Sequence, residues 1–258
     1  MPDVIVYPSA DELAADVAAQ VIDVLADAQQ RHGRAALALT AGSIMEKVWQ
    51  ALAALPDSPV DWSAVDVFWG DERYVEHDSS DRNDVPAQQI LFGAAPFSSA
   101  RQFSMPTSDG PHGDDMDAAA AAYAATLASA RRPDDDGAVP SFDVLLLGMG
   151  PDGHCCSLFP GHPGTRDESG PVIPVRNSPK PPPNRLSLSF DGLNAADQIW
   201  VVVSGSEKAP AAARALSGDV SRVDVPSSGA RGRSRTAWLL DADAAAQLPD
   251  SVSRSVRD

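Results

Sequence analysis

The stretch Phe142-Asp-Val-Leu-Leu-Leu-Gly-Met-Gly-Pro-Asp-Gly-His154 decides the fold class of this chain. It begins with a run of large apolar residues that has the length of one buried strand. Glycine and proline then interrupt the run, and an aspartate and a histidine follow. An apolar strand that ends in a polar, glycine-rich loop is typical of a parallel sheet covered on both faces.

Strand and helix patterns alternate on both sides of this stretch. Strand patterns cover residues 4–7, 35–40, 65–69, 142–147, 185–190, 199–204 and 238–240. Helix patterns run from about residue 9 to 32, 45 to 55, 115 to 131 and 207 to 216. This alternation predicts an α/β fold with a parallel or mixed sheet and helices on both faces. The loops at 132–137 and 177–183 have strand-helix units close on either side, so residues 1–258 are interpreted as one domain.

Composition and charge narrow the classes of partner. With 43% hydrophobic and 22% charged residues, the chain has ample material for a core. A formal net charge of −16 repels nucleic acids and anionic membranes, and neither is expected as a partner. A small phosphorylated ligand would therefore need a local cluster of arginine and lysine.

Localisation and cofactors are predicted mainly from features that the sequence lacks. The first residues have no basic, apolar leader and no segment approaches ~20 apolar residues, so we expect a cytoplasmic protein. Cys155 and Cys156 are adjacent and predict reduced thiols. Two adjacent cysteines are poor joint ligands for zinc, and nucleotide-binding glycine motifs are missing. We therefore predict no metal and no nucleotide cofactor. A monomer or weak homo-oligomer is expected.

Four polar loops follow apolar strands in this sequence. They are Thr40-Ala-Gly-Ser43, Gly70-Asp-Glu-Arg73, Gly148-Met-Gly-Pro-Asp-Gly-His154 and Ser204-Gly-Ser-Glu-Lys208. The carboxyl ends of parallel strands share one edge of a sheet, and ligands bind there. Each loop also has a plainer interpretation, such as an N-cap at Ser43, a solvated turn, a surface histidine or an exposed lysine.

The third loop carries the strongest chemical signal. Asp152 and His154 are two residues apart, so a carboxylate and an imidazole can point into one cleft. A neutral imidazole near pH 7 is the usual general base for activating water. This pair predicts acid-base chemistry on a small substrate.

The other loops supply candidate phosphate ligands. Gly42 and Ser43 precede a predicted helix, where free backbone N–H groups favour an anion. Arg73, Arg185 and Lys208 lie at element boundaries and together form the positive cluster that a phosphate needs.

The motifs taken together resemble those of the 6-phosphogluconolactonases, within the glucosamine-6-phosphate isomerase/6-phosphogluconolactonase superfamily. The matching segments are Phe68-Trp-Gly-Asp-Glu-Arg73, Asp81-Arg-Asn83, Leu147-Gly-Met-Gly-Pro-Asp-Gly-His154, Ser157-Leu-Phe-Pro-Gly-His162 and Val203-Ser-Gly-Ser-Glu-Lys208. The resemblance runs from near residue 4 to about residue 241. It implies a modified Rossmann-like fold and no metal or organic cofactor. It also implies hydrolysis of 6-phospho-D-glucono-1,5-lactone to 6-phospho-D-gluconate in the oxidative pentose phosphate pathway.

The resemblance also implies individual roles. The implied catalytic residues are His154, Asp152 and Asp71. His154 would be the base that activates water, Asp152 would orient His154, and Asp71 would line the sugar site with Arg73. The phosphate would be held by Gly42, Ser43, Arg185 and Lys208. Backbone N–H groups of the glycine-rich loop or Arg73 would stabilise the oxyanion. The first loop reads Thr40-Ala-Gly-Ser-Ile-Met45 where the family commonly has Ser-Gly-Gly-Ser-Thr-Pro, which leaves its individual phosphate contacts open.

Two alternative functions remain open at this stage. A glucosamine-6-phosphate deaminase would need an additional carboxylate-histidine relay, but Cys155-Cys-Ser-Leu-Phe159 follows the histidine without an acid. A sugar-phosphate sensor would bind without turnover, but the chain has no basic segment for a DNA-binding helix. Both features favour the lactonase.

Overall fold

Eight parallel strands form the central sheet of the computed structural model, which describes residues 2–166 and 169–257. In chain order the strands are β1 (Asp3–Tyr7), β2 (Ala35–Leu39), β3 (Val65–Trp69), β4 (Asp71–Arg73), β5 (Arg101–Phe103), β6 (Val144–Gly148), β7 (Val172–Val175), β8 (Arg185–Leu188), β9 (Gln198–Val203), β10 (Arg235–Asp241) and β11 (Ser255–Val256). The central order is β11-β1-β10-β9-β6-β2-β3-β5, and β4-β8-β7 form a small antiparallel sheet. Met1, Asp167, Glu168 and Asp258, which the single-domain prediction includes, lie outside the described residues.

Helices flank the central sheet. They are α1 (Ala10–His32), α2 (Ser43–Ala53), α3 (Asp84–Ala87), α4 (Met116–Ser129), α5 (Phe190–Leu193) and α6 (Ala209–Leu216). Ser9 caps α1 by accepting a hydrogen bond from the Glu12 N–H at 3.2 Å, and Gly33 ends it at φ +74°. Both ends follow the predicted signals, because an oxygen side chain satisfies free N–H groups and glycine tolerates the left-handed region.

The core lies between the sheet and the helices. All five residues of β2 and all five of β3 are buried, as expected of strands covered on both faces. Helix α1 buries the predicted stripe of Leu13, Val17, Val21 and Leu25 against this sheet. The prediction of an α/β fold with a parallel sheet flanked by helices is therefore confirmed. No helix of the described residues is long and apolar enough to cross a bilayer.

Several predicted bounds were wrong by a few residues. Helix α2 begins at Ser43 instead of Met45 because Gly42, at φ +143°, makes the turn before it. Residues 206–208 form a 3-10 turn, so only 209–216 of the predicted fourth helix are α-helical. The strand predicted at 185–190 ends at Leu188, because Ser189 caps the short helix α5. Strands β4, β5, β7 and β11 have two to four residues, too few to show a periodic pattern.

Candidate active site

The four polar loops meet in one cleft of about 310 Å³. Seven of the eight predicted site residues line it: Gly42, Ser43, Asp71, Arg73, His154, Arg185 and Lys208. The eighth, Asp152, contacts His154 from beside the cleft. The parallel strands explain this convergence, since β2, β3, β6 and β9 all end at the same edge of the sheet.

The start of α2 forms one wall of the cleft. Gly42 is the N-cap residue and no side chain caps the helix, so its first N–H groups remain available to a ligand. The plainer interpretation of Ser43 as the N-cap was therefore wrong. Thr40 ties this loop to the third loop, because its hydroxyl accepts from the Gly148 N–H at 2.9 Å and donates to the Leu146 carbonyl at 3.1 Å.

Strand β4 places Asp71 in the cleft wall. Asp71 is buried, and one carboxylate oxygen accepts a hydrogen bond from the Ser157 hydroxyl at 2.7 Å. The side-chain amide of Asn83 donates to the Asp71 carbonyl at 2.9 Å. Asn83 also lines the cleft, although no role was predicted for it beyond its place in a motif. These contacts hold Asp71 in a single position.

Glu72, between Asp71 and Arg73, binds neighbouring backbone N–H groups. Its carboxylate accepts hydrogen bonds from the N–H groups of Arg73, Asn83 and Asp84 at 2.7, 2.6 and 3.1 Å. Burial raises the pKa of Glu72 to about 7, although Arg82 and the N–H donors act to lower it.

The Arg73 guanidinium donates to the Asp81 carbonyl at 2.6 Å. This hydrogen bond fixes the Arg73 side chain on the cleft wall.

His154 and Asp152 form a hydrogen-bonded pair between the imidazole Nδ1 and the carboxylate Oδ1. Burial acts to raise the pKa of Asp152, but the hydrogen bond and charge of His154 and the charge of Lys180 outweigh it and lower this pKa to about 2. The imidazole packs on Phe159 with ring centroids 4.7 Å apart. An ionised Asp152 accepts the Nδ1 proton, so Nε2 is the nitrogen that is free to take a proton.

Gly150 provides the space for this imidazole. A Cβ at this position would lie 2.0 Å from Cε1 and 2.1 Å from Nδ1 of His154. Contacts this short are impossible, so any side chain at residue 150 must displace the ring. The glycine is therefore a steric requirement of the predicted pair.

Arg185 is buried beneath the proline-rich loop. Its guanidinium donates to the carbonyls of Lys180, Pro181 and Pro182 at 3.2, 3.0 and 3.2 Å. Burial lowers the pKa of Arg185 from its usual high value, against the attraction of Asp71. Arg185 thus organises the loop as well as lining the cleft.

Lys180, which the sequence did not single out, reaches the His154–Asp152 pair. Its Nζ lies 3.3 Å from Nδ1 of His154 and 3.7 Å from Oδ1 of Asp152. With Arg73, Arg185 and Lys208 it makes the cleft lining cationic in a chain whose formal net charge is −16. The predicted positive cluster is present and has one more member than expected.

The two cysteines are buried free thiols. Burial, together with the charge of Asp71, raises the pKa of both Cys155 and Cys156, which disfavours the nucleophilic thiolate. In residues 2–166 and 169–257, no three His, Cys, Asp or Glu side chains are grouped so that they could hold a metal ion.

The fold and cleft define an α/β protein with a site for a small anionic ligand at the carboxyl edge of its sheet. The sequence profile of the family described as "Glucosamine-6-phosphate isomerases/6-phosphogluconolactonase" matches residues 8–238. The chain belongs to this family, which confirms the resemblance seen in its motifs.

Individual relatives are similar over nearly their whole length. The chain is 47% identical to a 6-phosphogluconolactonase of Streptomyces coelicolor, over 97% of this chain and 96% of that protein. It is 41% identical to a 6-phosphogluconolactonase of Mycobacterium tuberculosis, over 95% and 97%. The structure of 6-phosphogluconolactonase from Trypanosoma brucei superposes with a TM-score of 0.79 at 28% identity, covering 96% of this chain and 99% of that one.

Proposed function

We propose that the protein hydrolyses 6-phospho-D-glucono-1,5-lactone to 6-phospho-D-gluconate. The observation that carries the proposal is the His154–Asp152 pair, which shares one cleft with a cationic lining. The 47% identity to a 6-phosphogluconolactonase over 97% of the chain supports the substrate. A lactone is an activated ester, so the site needs to position water, remove a proton and stabilise an oxyanion.

His154 acts as the general base in this proposal. Nε2 takes a proton from water as the water oxygen bonds to C1 of the lactone, which forms a tetrahedral oxyanion. The oxyanion then collapses, the bond from C1 to the ring oxygen breaks, and the imidazolium returns the proton to that oxygen. Asp152 stays ionised throughout, and its carboxylate keeps the ring oriented and stabilises the imidazolium.

The phosphate is held at the start of α2. Gly42 and Ser43 offer backbone N–H groups there, and Lys208 adds a positive charge to the same cleft. Arg185, which lines the same cleft, also holds the phosphate, and Asp71 with Arg73 contacts the sugar hydroxyls. This division separates binding of the phosphate from chemistry at C1.

The test is hydrolysis of 6-phosphogluconolactone generated in situ, with the spontaneous rate subtracted, by wild type and His154→Ala. General base catalysis contributes roughly 10²- to 10⁴-fold, so kcat should fall by about that factor while 6-phosphogluconate still binds. His77→Ala, whose side chain is 79% exposed, is the matched control. An unchanged kcat in the His154 variant would exclude this base.

Two further measurements, made beside the lactone assay, distinguish the alternatives. Release of ammonia from glucosamine 6-phosphate without lactone hydrolysis would indicate a deaminase. Tight binding of 6-phosphogluconate without any turnover would indicate a sensor. A place in the oxidative pentose phosphate pathway follows from the proposed reaction, and the cytoplasmic location and the monomeric or weakly associated state remain predictions.

A further inference from the structure

Lys180 is the cleft cation that contacts the proposed catalytic pair. Its ammonium lies 3.3 Å from Nδ1 of His154 and 3.7 Å from Oδ1 of Asp152. The base abstracts a proton from a water within hydrogen-bonding reach, so C1 of the lactone must lie a few ångströms from the imidazole. A flexible ammonium beside the imidazole is therefore also within reach of the oxygen on C1.

Two backbone donors near this position are already engaged. The Gly148 N–H donates to the Thr40 hydroxyl and the Gly150 N–H donates to the His154 carbonyl. These two N–H groups of the third loop are therefore engaged within the protein. The hydrogen bonds of Arg185 and Arg73 to backbone carbonyls likewise fix those side chains in place.

The charges at the pair change during the reaction. Before it, the ammonium of Lys180 and the carboxylate of Asp152 balance each other. Proton transfer then creates an imidazolium at His154 and an oxyanion on C1. After the ring oxygen leaves with that proton, C1 is a carboxylic acid, which loses its own proton to solvent and becomes the product carboxylate. A preorganised cation next to this carbon stabilises the oxyanion and the product carboxylate more than it stabilises the neutral lactone.

We propose that Lys180 is a further catalytic residue, which donates a hydrogen bond to the oxygen on C1 as negative charge develops there and then pairs with the product carboxylate. This inference rests on the proposed lactone hydrolysis and assigns its oxyanion donor. Lys180 transfers no proton: the proton passes from water to His154 and on to the ring oxygen, and the ammonium remains charged.

Backbone groups of Lys180, and not its side chain, hold the residue in the proline-rich loop. The side chain can therefore be replaced without loss of these contacts. The Ser178 hydroxyl accepts from the Lys180 N–H at 3.2 Å and donates to the Lys180 carbonyl at 2.9 Å. Arg185 binds the same carbonyl from below. The Lys180 side chain is 40% exposed, so Lys180→Met removes the charge and leaves these contacts intact.

The experiment compares kcat and the affinity for two ligands in wild type, Lys180→Met and Lys180→Arg. The ligands are 6-phosphogluconate, which carries a carboxylate at C1, and 1,5-anhydro-D-glucitol 6-phosphate, which carries two hydrogens there. Loss of one oxyanion donor costs about 10²- to 10³-fold, so kcat of Lys180→Met should fall by that factor. Its affinity for 6-phosphogluconate should fall by about tenfold or more, because a hydrogen bond to a charged group is lost.

The anhydro compound provides the decisive comparison. Its affinity should be the same in wild type and Lys180→Met, and Lys180→Arg should recover part of kcat. Lys47→Met, at a lysine 46% exposed on α2, controls for the loss of one positive charge from the surface. Equal weakening of both ligands would assign Lys180 to the phosphate and overturn the inference, as would an unchanged kcat. If folded wild type hydrolyses no lactone, the proposed function is overturned. The affinities for the two ligands are measured by binding, so they test the role of Lys180 separately from turnover.

Discussion

Oδ1 of Asp152 and Nδ1 of His154 are hydrogen-bonded within one turn, and the carboxylate keeps a pKa of about 2. The proton of the neutral imidazole is therefore held on Nδ1, and Nε2 has no partner among the described residues. An imidazole with this tautomer and orientation is prepared to remove a proton from water. The relationship predicts that Asp152 orients the ring and affects turnover.

Replacement of Asp152 by asparagine tests this role. The Asp152→Asn side chain keeps the shape but removes the charge that fixes the tautomer, so kcat should fall by roughly 10- to 10³-fold, less than for loss of the base itself. KM should change little, because the carboxylate does not line the cleft. Steady-state kinetics at neutral pH measure both values. Asp78→Asn, at a fully exposed aspartate, is the control, and an equal effect in both variants would contradict the assignment.

Replacement of Gly150 by alanine tests the position of the ring. The new Cβ would occupy the space of the His154 imidazole and force it out of its contact with Asp152. We expect at least about a tenfold loss of kcat, since displacement of a catalytic group by 1 Å can cost 10²-fold. Gly170→Ala, where nothing lies within 4 Å of the new Cβ, should behave as wild type. Full activity of Gly150→Ala would show that the ring position in this structure is not the productive one.

Replacement of Lys208 by methionine tests the phosphate site. A charge-assisted hydrogen bond is worth about 1.5–3 kcal/mol, so KM for 6-phosphogluconolactone should rise by roughly 10- to 100-fold. Hydrolysis of glucono-1,5-lactone, which lacks the phosphate, should be unaffected. Parallel kinetics on the two lactones provide the measurement, with Lys47→Met as the control. A similar loss on both lactones would place Lys208 elsewhere in the mechanism.

Much of the site could be predicted because it depends on the parallel direction of the strands. An apolar strand followed by a polar loop is readable from local sequence, and parallel strands bring such loops to one edge. Residues 40–43, 70–73, 148–154 and 204–208 all follow this rule. Their convergence around His154 needed no knowledge of longer-range packing.

Lys180 and Asn83 could not be predicted in this way. Lys180 lies in the proline-rich loop, which has no periodic pattern, and it reaches the cleft because Arg185 binds three consecutive carbonyls beneath it. Asn83 is buried by its contacts with Asp71 and Glu72, which belong to a strand of three residues. Both placements depend on tertiary contacts of the small antiparallel sheet. An arginine two residues after a run of three prolines, Arg185, is the sequence signal that could have drawn attention to the loop.

Glu72 predicts how stability depends on pH. In the folded protein burial raises its pKa to about 7, whereas an exposed glutamate titrates near 4.5. Between these values the folded state holds a proton that the unfolded state has lost. The stabilisation from this group is therefore complete below about pH 4.5 and declines as pH rises through about 7. Thermal or urea unfolding of wild type at pH 5 and pH 8 should show this decline.

The variant Glu72→Gln isolates the contribution of this carboxylate. The amide oxygen can still accept from the N–H groups of Arg73 and Asn83, and the group no longer titrates. The ion pair with Arg82 is lost, but Arg82 keeps its 2.8 Å contact with Asp84. The free energy of unfolding should fall less from pH 5 to pH 8 in the variant, with a difference on the order of 1–3 kcal/mol. Parallel pH dependence in the two proteins would mean that Glu72 is ionised throughout this range, because its three N–H donors and Arg82 then outweigh the cost of burial.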